Sequence, residues 1–192
     1  MPANEIATYY PKTKLHWRKW LIKNHVRKNA VWIIMYKQKA GKPTITWSDA
    51  VDEALCFGWI DSIKKKLDDE RSIQFFSKRK PTSTWSKINK QKVIKLIDEG
   101  QMTAAGLVCI EVAKKNGNWK LLDSVEELLI PADLEVELMA KANAMDFFLS
   151  LSKSIRKAIL QWVILARRPE TRQNRINEIA TLAAKKQKPK QF

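Results

Sequence analysis

Between residues 59 and 77 the chain alternates side-chain character with a period of two, breaks once, and alternates again. WIDSIKKKL (59–67) runs into Asp68-Asp69-Glu70 and then RSIQFFS (71–77). Such alternation belongs to strands, whose successive side chains leave opposite faces, and a three-residue polar break between two such runs is a hairpin loop. A lone hairpin is marginal in water, so the flanking sequence must supply a core. With those three residues as the loop, Leu67 faces Arg71, Ile63 faces Phe75 and Asp61 faces Ser77. This register places Trp59, Asp61, Ile63, Phe75 and Arg79 on one face.

The flanks provide the cover. AVWIIMYK (30–37) is short, β-branched and aromatic, the pattern of a buried strand able to join the hairpin. Residues 15–28 read as a helix with Leu15, Trp17, Trp20 and Leu21 on its apolar side. Thr46 caps a second helix, with Asp49 three residues on and Gly58 at its end. Its apolar face is Trp47, Ala50, Val51, Ala54 and Leu55. Beyond Pro81 the period changes to that of helices. Ser83 caps a helix reaching Glu99, with Trp85, Ile88, Val93, Leu96 and Ile97 as its stripe, and Gly100 closes it. Thr103 caps the next, which ends before Gly117. Helices follow over 131–141, 152–167 and 169–185, the last opening on Pro169, whose missing N–H costs nothing there. Phe148, Leu151, Trp162 and Ile176 pack this part, and the tail KKQKPKQF frays. The fold class is therefore α+β: a small antiparallel sheet with packed helices over 1–120, then a mostly helical region over 121–192.

At 192 residues, 45% apolar and 29% charged, the chain can bury a core without disulfides or metals. Cys56 and Cys109 lie in apolar helical stretches and read as unpaired core thiols of a reducing compartment. His16 and His25 have no Cys or His at ligand spacing, so no metal site is expected. No P-loop, GxGxxG or nucleophile–His pairing occurs, so no catalytic residue and no cofactor is expected. No apolar run approaches the roughly 18 residues of a membrane span, and MPANEIATYYPK lacks the basic-then-apolar order of a leader. A cytoplasmic, non-enzymatic binding protein is the expectation.

Net charge is +16 and unevenly spread. Residues 123–146 hold seven acids against one lysine, while 147–192 hold eleven basic residues against two acids. Such a balance favours anionic partners, or is simply a solvated basic surface. Nucleic acid is the second partner class, since eight tryptophans offer stacking surfaces. Against it, the lysines are dispersed, the tryptophans fall mostly on apolar stripes, and no helix-turn-helix, RRM, KH or zinc pattern occurs. The sequence leaves the oligomeric state open.

Two clusters could carry chemistry. Trp59, Asp61, Arg71, Arg79, Trp85 and Asn89 gather around the hairpin. A partly buried Asp61 needs a partner, and Arg79 is the nearest in the expected register. The cluster is either a polar pocket walled by two indoles, holding a small anionic or planar ligand, or a structural knot. In the second cluster, Arg168, Arg172 and Arg175 lie at i, i+4 and i+7. They form either an anion site or a salt-bridge network with Glu170, whose charge suits a helix N-terminus.

EALCFGWIDSIKKKLDDERSIQFFSKRKPTSTWSKINK and the later GQMTAAGLVCIEVAKKNGNW resemble the bacterial YdeI/OmpD-associated family, also called bacteriocin-protection proteins. The C-terminal part resembles its OmdA domain. There the family shows a phenylalanine before a serine-containing helix start, then tryptophan with Ile or Val, an alanine with two basic residues, and E-T-R-x-x-R-I. This chain supplies Phe148, Ser152, Arg156, Trp162, Val163, Ala166, Arg167, Arg168, Glu170, Thr171, Arg172, Arg175 and Ile176. The resemblance covers about residues 15–185. SKRKP at 77–81 departs from the family's usual P-R, and 121–130 lacks its tyrosine-containing segment. The resemblance implies a link to bacteriocin or antimicrobial-peptide tolerance, in the setting of envelope stress, and no catalytic residues. Many such peptides are cationic, and a +16 chain repels them at long range.

Overall fold

The computed structural model describes residues 6–192, so the part of the leader reading that rests on residues 1–5 lies outside the described residues. The chain forms two compact units, divided between Trp119 and Lys120.

In the first unit, β1 (Thr8–Tyr9), β2 (Ala30–Tyr36), β3 (Trp59–Lys66) and β4 (Arg71–Lys78) make one sheet in the order β1-β2-β4-β3. The β2–β4 and β3–β4 pairs are antiparallel, whereas β1 runs parallel to β2, so the sheet is mixed. A two-residue strand carries too little alternation to be seen in the sequence. The unit's helices are α1 (Lys14–Asn24), α2 (Trp47–Cys56), α3 (Lys87–Asp98) and α4 (Ala104–Lys115). Side-chain oxygens cap all four: Thr13, Thr46, Ser86 and Thr103 accept from the N–H of the third residue of each helix, satisfying donors a helix start leaves orphaned. The cap of α3 is Ser86 rather than Ser83, so Trp85 precedes the helix instead of belonging to its stripe. Ile88 and Ile97 are exposed, and Val93 and Leu96 carry the contact. In α2, Trp47 is also exposed rather than in the core.

The hairpin register is as expected beside the loop and one residue off beyond it. Leu67 N–H donates to Arg71 O, and Lys64 pairs with Gln74. A bulge between Asp61 and Lys64 then shifts Asp61 opposite Phe76 and Trp59 opposite Lys78. An extra residue in one strand exchanges its faces. Without it Trp59 and Asp61 would share a face with Phe75; with it they join Phe76, Gln74, Val31 and Ile33, which are buried. Ile63, expected inward, is left exposed. Trp17 of α1 closes over this side, its ring 5.4 Å from that of Phe76 and its Nε1 donating to Ala50 O.

The second unit contains α5 (Asp123–Glu126), α6 (Ala132–Met139), α7 (Ala144–Ser150), α8 (Lys153–Ile164) and α9 (Pro169–Ala184). Its core gathers Leu134, Leu138, Phe148, Leu160 and Ile176, with Leu151 and Trp162 packed against it. The architecture is α+β with a helical C-terminal part. Among the described residues no helix is long and apolar enough to cross a membrane.

Candidate functional site

Arg79 follows directly on β4, its backbone N–H bonded to Gly58 O at 2.9 Å. That bond ties the end of the sheet to the turn after α2. The side chain is only 8% exposed, with its guanidinium 3.8 Å from the Trp85 ring centre and Nη1 donating to Thr84 O at 2.8 Å. Neither contact supplies a negative charge. Burial pushes the guanidinium down to about 10, so it remains a cation at neutral pH. Three buried donors here have no partner: Arg79 Nε, Trp59 Nε1 and Trp85 Nε1. Each unmade bond in a dry site costs about 1–3 kcal/mol.

Two cavities adjoin this cation. One, of about 190 Å³, is lined by Arg79, Trp85, Val108, Cys109 and Val112, among others. The other, of about 280 Å³, is lined by residues that include His25, Phe57, Gly58, Trp59, Arg79 and Cys109. Arg79 and Cys109 line both. Gly58 is fixed by two demands. Its φ of +71° is a left-handed conformation, and a Cβ there would lie 2.6 Å from Cys109 Sγ. The walls are apolar and aromatic, and the cations in them are Arg79, Lys78 and Lys80. Such a site suits a small anion carrying an apolar or planar body.

Of the six residues expected around the hairpin, Arg79 lines both cavities, Trp85 the one of about 190 Å³ and Trp59 the one of about 280 Å³. Asp61 does not pair with Arg79: it accepts from Trp47 Nε1 at 2.9 Å and Gln74 Nε2 at 3.4 Å, where the bulge has put it. Arg71 is bound to Asp68 in the hairpin loop, with Nε donating at 2.6 Å. Asn89 sits in the first turn of α3, its backbone N–H donating to Ser86 Oγ. Cys109 is only partly buried and not the core thiol expected, whereas Cys56 is buried and pushed up to about 11 by burial. Desolvation raises the Cys109 thiol as well. The stripe Ala105, Val108, Cys109, Val112 on α4 has the spacing that could have marked this wall.

In the second unit Arg172 meets Asp133 through two bonds, Nε to Oδ2 at 2.6 Å and Nη2 to Oδ1 at 2.9 Å. Arg175 donates to Trp162 O and lies 4.8 Å from that ring's centre. Arg168 is the exposed residue before α9. The carboxylate facing Arg172 is thus Asp133 of α6 rather than Glu170. Arg172 holds the Asp133 carboxyl below its usual range, chiefly by hydrogen bonding. The folded carboxylate is the stronger acid, so this stabilisation is present above the ordinary carboxylate pKa. It is lost as pH falls through the lowered value. With Asp133 partly solvated, Arg172→Ala should lower stability by up to about 1 kcal/mol at neutral pH. Urea melts at neutral pH and near pH 3 should show the difference shrink in acid.

A family model for a domain of unknown function (DUF8412) matches residues 9–109, more than half of the chain. The chain belongs to that family, and the cavities around Arg79 lie almost wholly within the matched span. A second model, Bacteriocin-protection, YdeI or OmpD-Associated (OmdA), matches residues 127–186, so the C-terminal part is an OmdA region as its motif block indicated. The N-terminal block, which resembled the same family, falls in the first match. No curated protein and no solved structure matches the chain.

Proposed function

We propose that the first unit is a non-enzymatic binding domain for a small anion with a planar or apolar body, held at Arg79 between the indoles of Trp59 and Trp85. In this reading the two units are separate domains of a cytoplasmic protein. Its role belongs to the bacteriocin or antimicrobial-peptide tolerance, and the envelope stress, that the OmdA description evokes. The observation that carries the proposal is a desolvated guanidinium paired with no carboxylate among the described residues, with an unbonded indole N–H from a residue lining each of the two cavities it adjoins. A bound carboxylate or phosphate neutralises the cation and accepts from these donors, recovering a penalty the empty site bears. Binding rather than catalysis is favoured because both thiols are held protonated by burial and so are poor nucleophiles.

The test is a thermal-shift and calorimetric screen of inorganic phosphate, benzoate and a nucleoside monophosphate against the parent and Arg79→Leu. A ligand that binds the folded state raises stability by about 2.7 kcal/mol at a hundred times its Kd. Arg79→Leu should abolish that shift while leaving the unliganded melt unchanged or higher, since a leucine removes a desolvated charge. Bound ligand should also slow labelling of Cys109 by a thiol reagent. Absence of any shift in the parent, or an equal shift in the variant, rejects the proposal.

A further inference from the structure

We propose that the opposite face of the same sheet is a platform for single-stranded nucleic acid. The inference does not depend on the cavity at Arg79. Strand alternation turns Trp32 and Ile34 of β2, with Ile73 and Phe75 of β4, away from the buried side. All four are partly exposed, and none belongs to either buried core. β2 and β4 are the two inner strands of the sheet, so the patch is central rather than marginal. Trp32 and Phe75 stand directly opposite one another, ring centres 4.9 Å apart at 64°. Apolar rings left open at the middle of a sheet are not needed for its core.

Charge selects the occupant. Lys65 of the edge strand places its ammonium 5.2 Å from the Trp32 ring centre. Lys65 pairs with Ile73 and so shares this face, and it meets no carboxylate among the described residues; Lys64 and Lys66, opposite Gln74 and Ser72, leave the other face, and Arg71 is paired with Asp68 in the loop. By alternation no acidic residue of β2, β3 or β4 falls on this face. Two aromatic rings beside the unpaired Lys65 ammonium match what a single strand presents: π-faces of bases beside phosphates. An acidic peptide would be served by the lysine but would leave the rings unused. A duplex would offer phosphates but no open base. The basic balance of the whole chain adds long-range attraction. The dispersal of tryptophans over apolar stripes, which told against nucleic acid in the sequence, does not extend to Trp32.

The test titrates the full chain into a fluorescein-labelled short oligothymidylate and into a duplex of equal length, at two salt concentrations. Anisotropy should rise for the single strand, and its affinity should fall with salt by about 0.7 log units per log unit for each phosphate contacted. Phe75→Ala should weaken binding about five- to a hundredfold with little change in that slope. Lys65→Ala should flatten the slope by about one phosphate's worth, whereas Lys64→Ala, on the opposite face, should leave it nearly unchanged. Lys65 is exposed, so its variant reads the proposal even where Phe75→Ala perturbs folding, which a melt and circular dichroism would reveal. No binding at low salt, a duplex bound as tightly as the single strand, or a folded Phe75→Ala with parental affinity would overturn it. So would light scattering that shows a dimer lost on Phe75→Ala, since the face would then belong to a second copy.

Discussion

Gly106→Ala should destabilise the first unit by about 3 kcal/mol, the upper end of what overpacking costs. The cause is a close helix junction. Thr103, the cap of α4, donates to the Cys56 carbonyl through both its backbone N–H at 3.1 Å and its hydroxyl at 2.6 Å. Three residues on, the Gly106 Cα passes the same carbonyl, and an added Cβ would lie 2.4 Å from its oxygen. A backbone oxygen at the end of α2 cannot swing aside as a side chain could. Relief requires α4 to shift, and with it Cys109 and one wall of both cavities. Gly100→Ala is the control: its φ is +66°, with nothing within 4 Å of a new Cβ. It should cost only the backbone strain of about 1–2 kcal/mol. Chemical denaturation of the two variants should rank Gly106→Ala as clearly the worse. Equal costs would mean that α4 moves freely over α2.

Much of the scaffold was legible because it rests on local chemistry. Thr46 and Thr103 cap helices where their sequence context put them, and Pro169 opens α9. What failed was decided by long-range packing. AVWIIMYK reads as a buried strand, yet every second residue is partly open. No local signal tells a two-sided strand from a one-sided one when both faces are apolar. The bulge in β3 was equally hidden. It is set by the demand that Trp59 and Phe76 enter the same core, and that core is completed by Trp17 and Val31 from distant positions.

The candidate site shows the same division. Composition and spacing brought Trp59, Arg79 and Trp85 together, since they flank one hairpin and one loop. They could not say that Arg79 lacks a carboxylate, because that depends on the one-residue shift that hands Asp61 to Trp47 and Gln74. Cys109 was missed for a related reason. A thiol on an apolar helix face is the same string of letters whether a neighbouring strand covers it or a cavity does.

Breaking the contact between Arg18 and Glu53 should be the other costly change, and no local pattern announces it. Glu53 lies on α2 among Ala50, Val51, Ala54 and Leu55 and is only 2% exposed. Its Oε2 accepts from Arg18 Nη1 at 2.7 Å, and Lys14 Nζ stands 3.6 Å from Oε1. Arg18 reaches further, donating to Gln101 O at 2.9 Å and lying over the Phe57 ring. One guanidinium therefore joins α1, α2 and the loop before α4. Arg18→Ala removes the near cation and leaves a buried carboxylate facing a half-exposed lysine at longer range, so a loss of about 3 kcal/mol is expected at neutral pH. The companion change decides whether this is attraction or merely the cost of an orphaned charge. Arg18→Met with Glu53→Leu keeps the volume and removes both charges, and should recover most of the loss, because apolar pairs replace buried ion pairs at little or no cost. A double variant as unstable as Arg18→Ala would show instead that the bond to Gln101 and the stacking on Phe57 hold the helices together. A double variant more stable than the parent would mean that the pair is kept for the orientation of α1 on α2 rather than for stability.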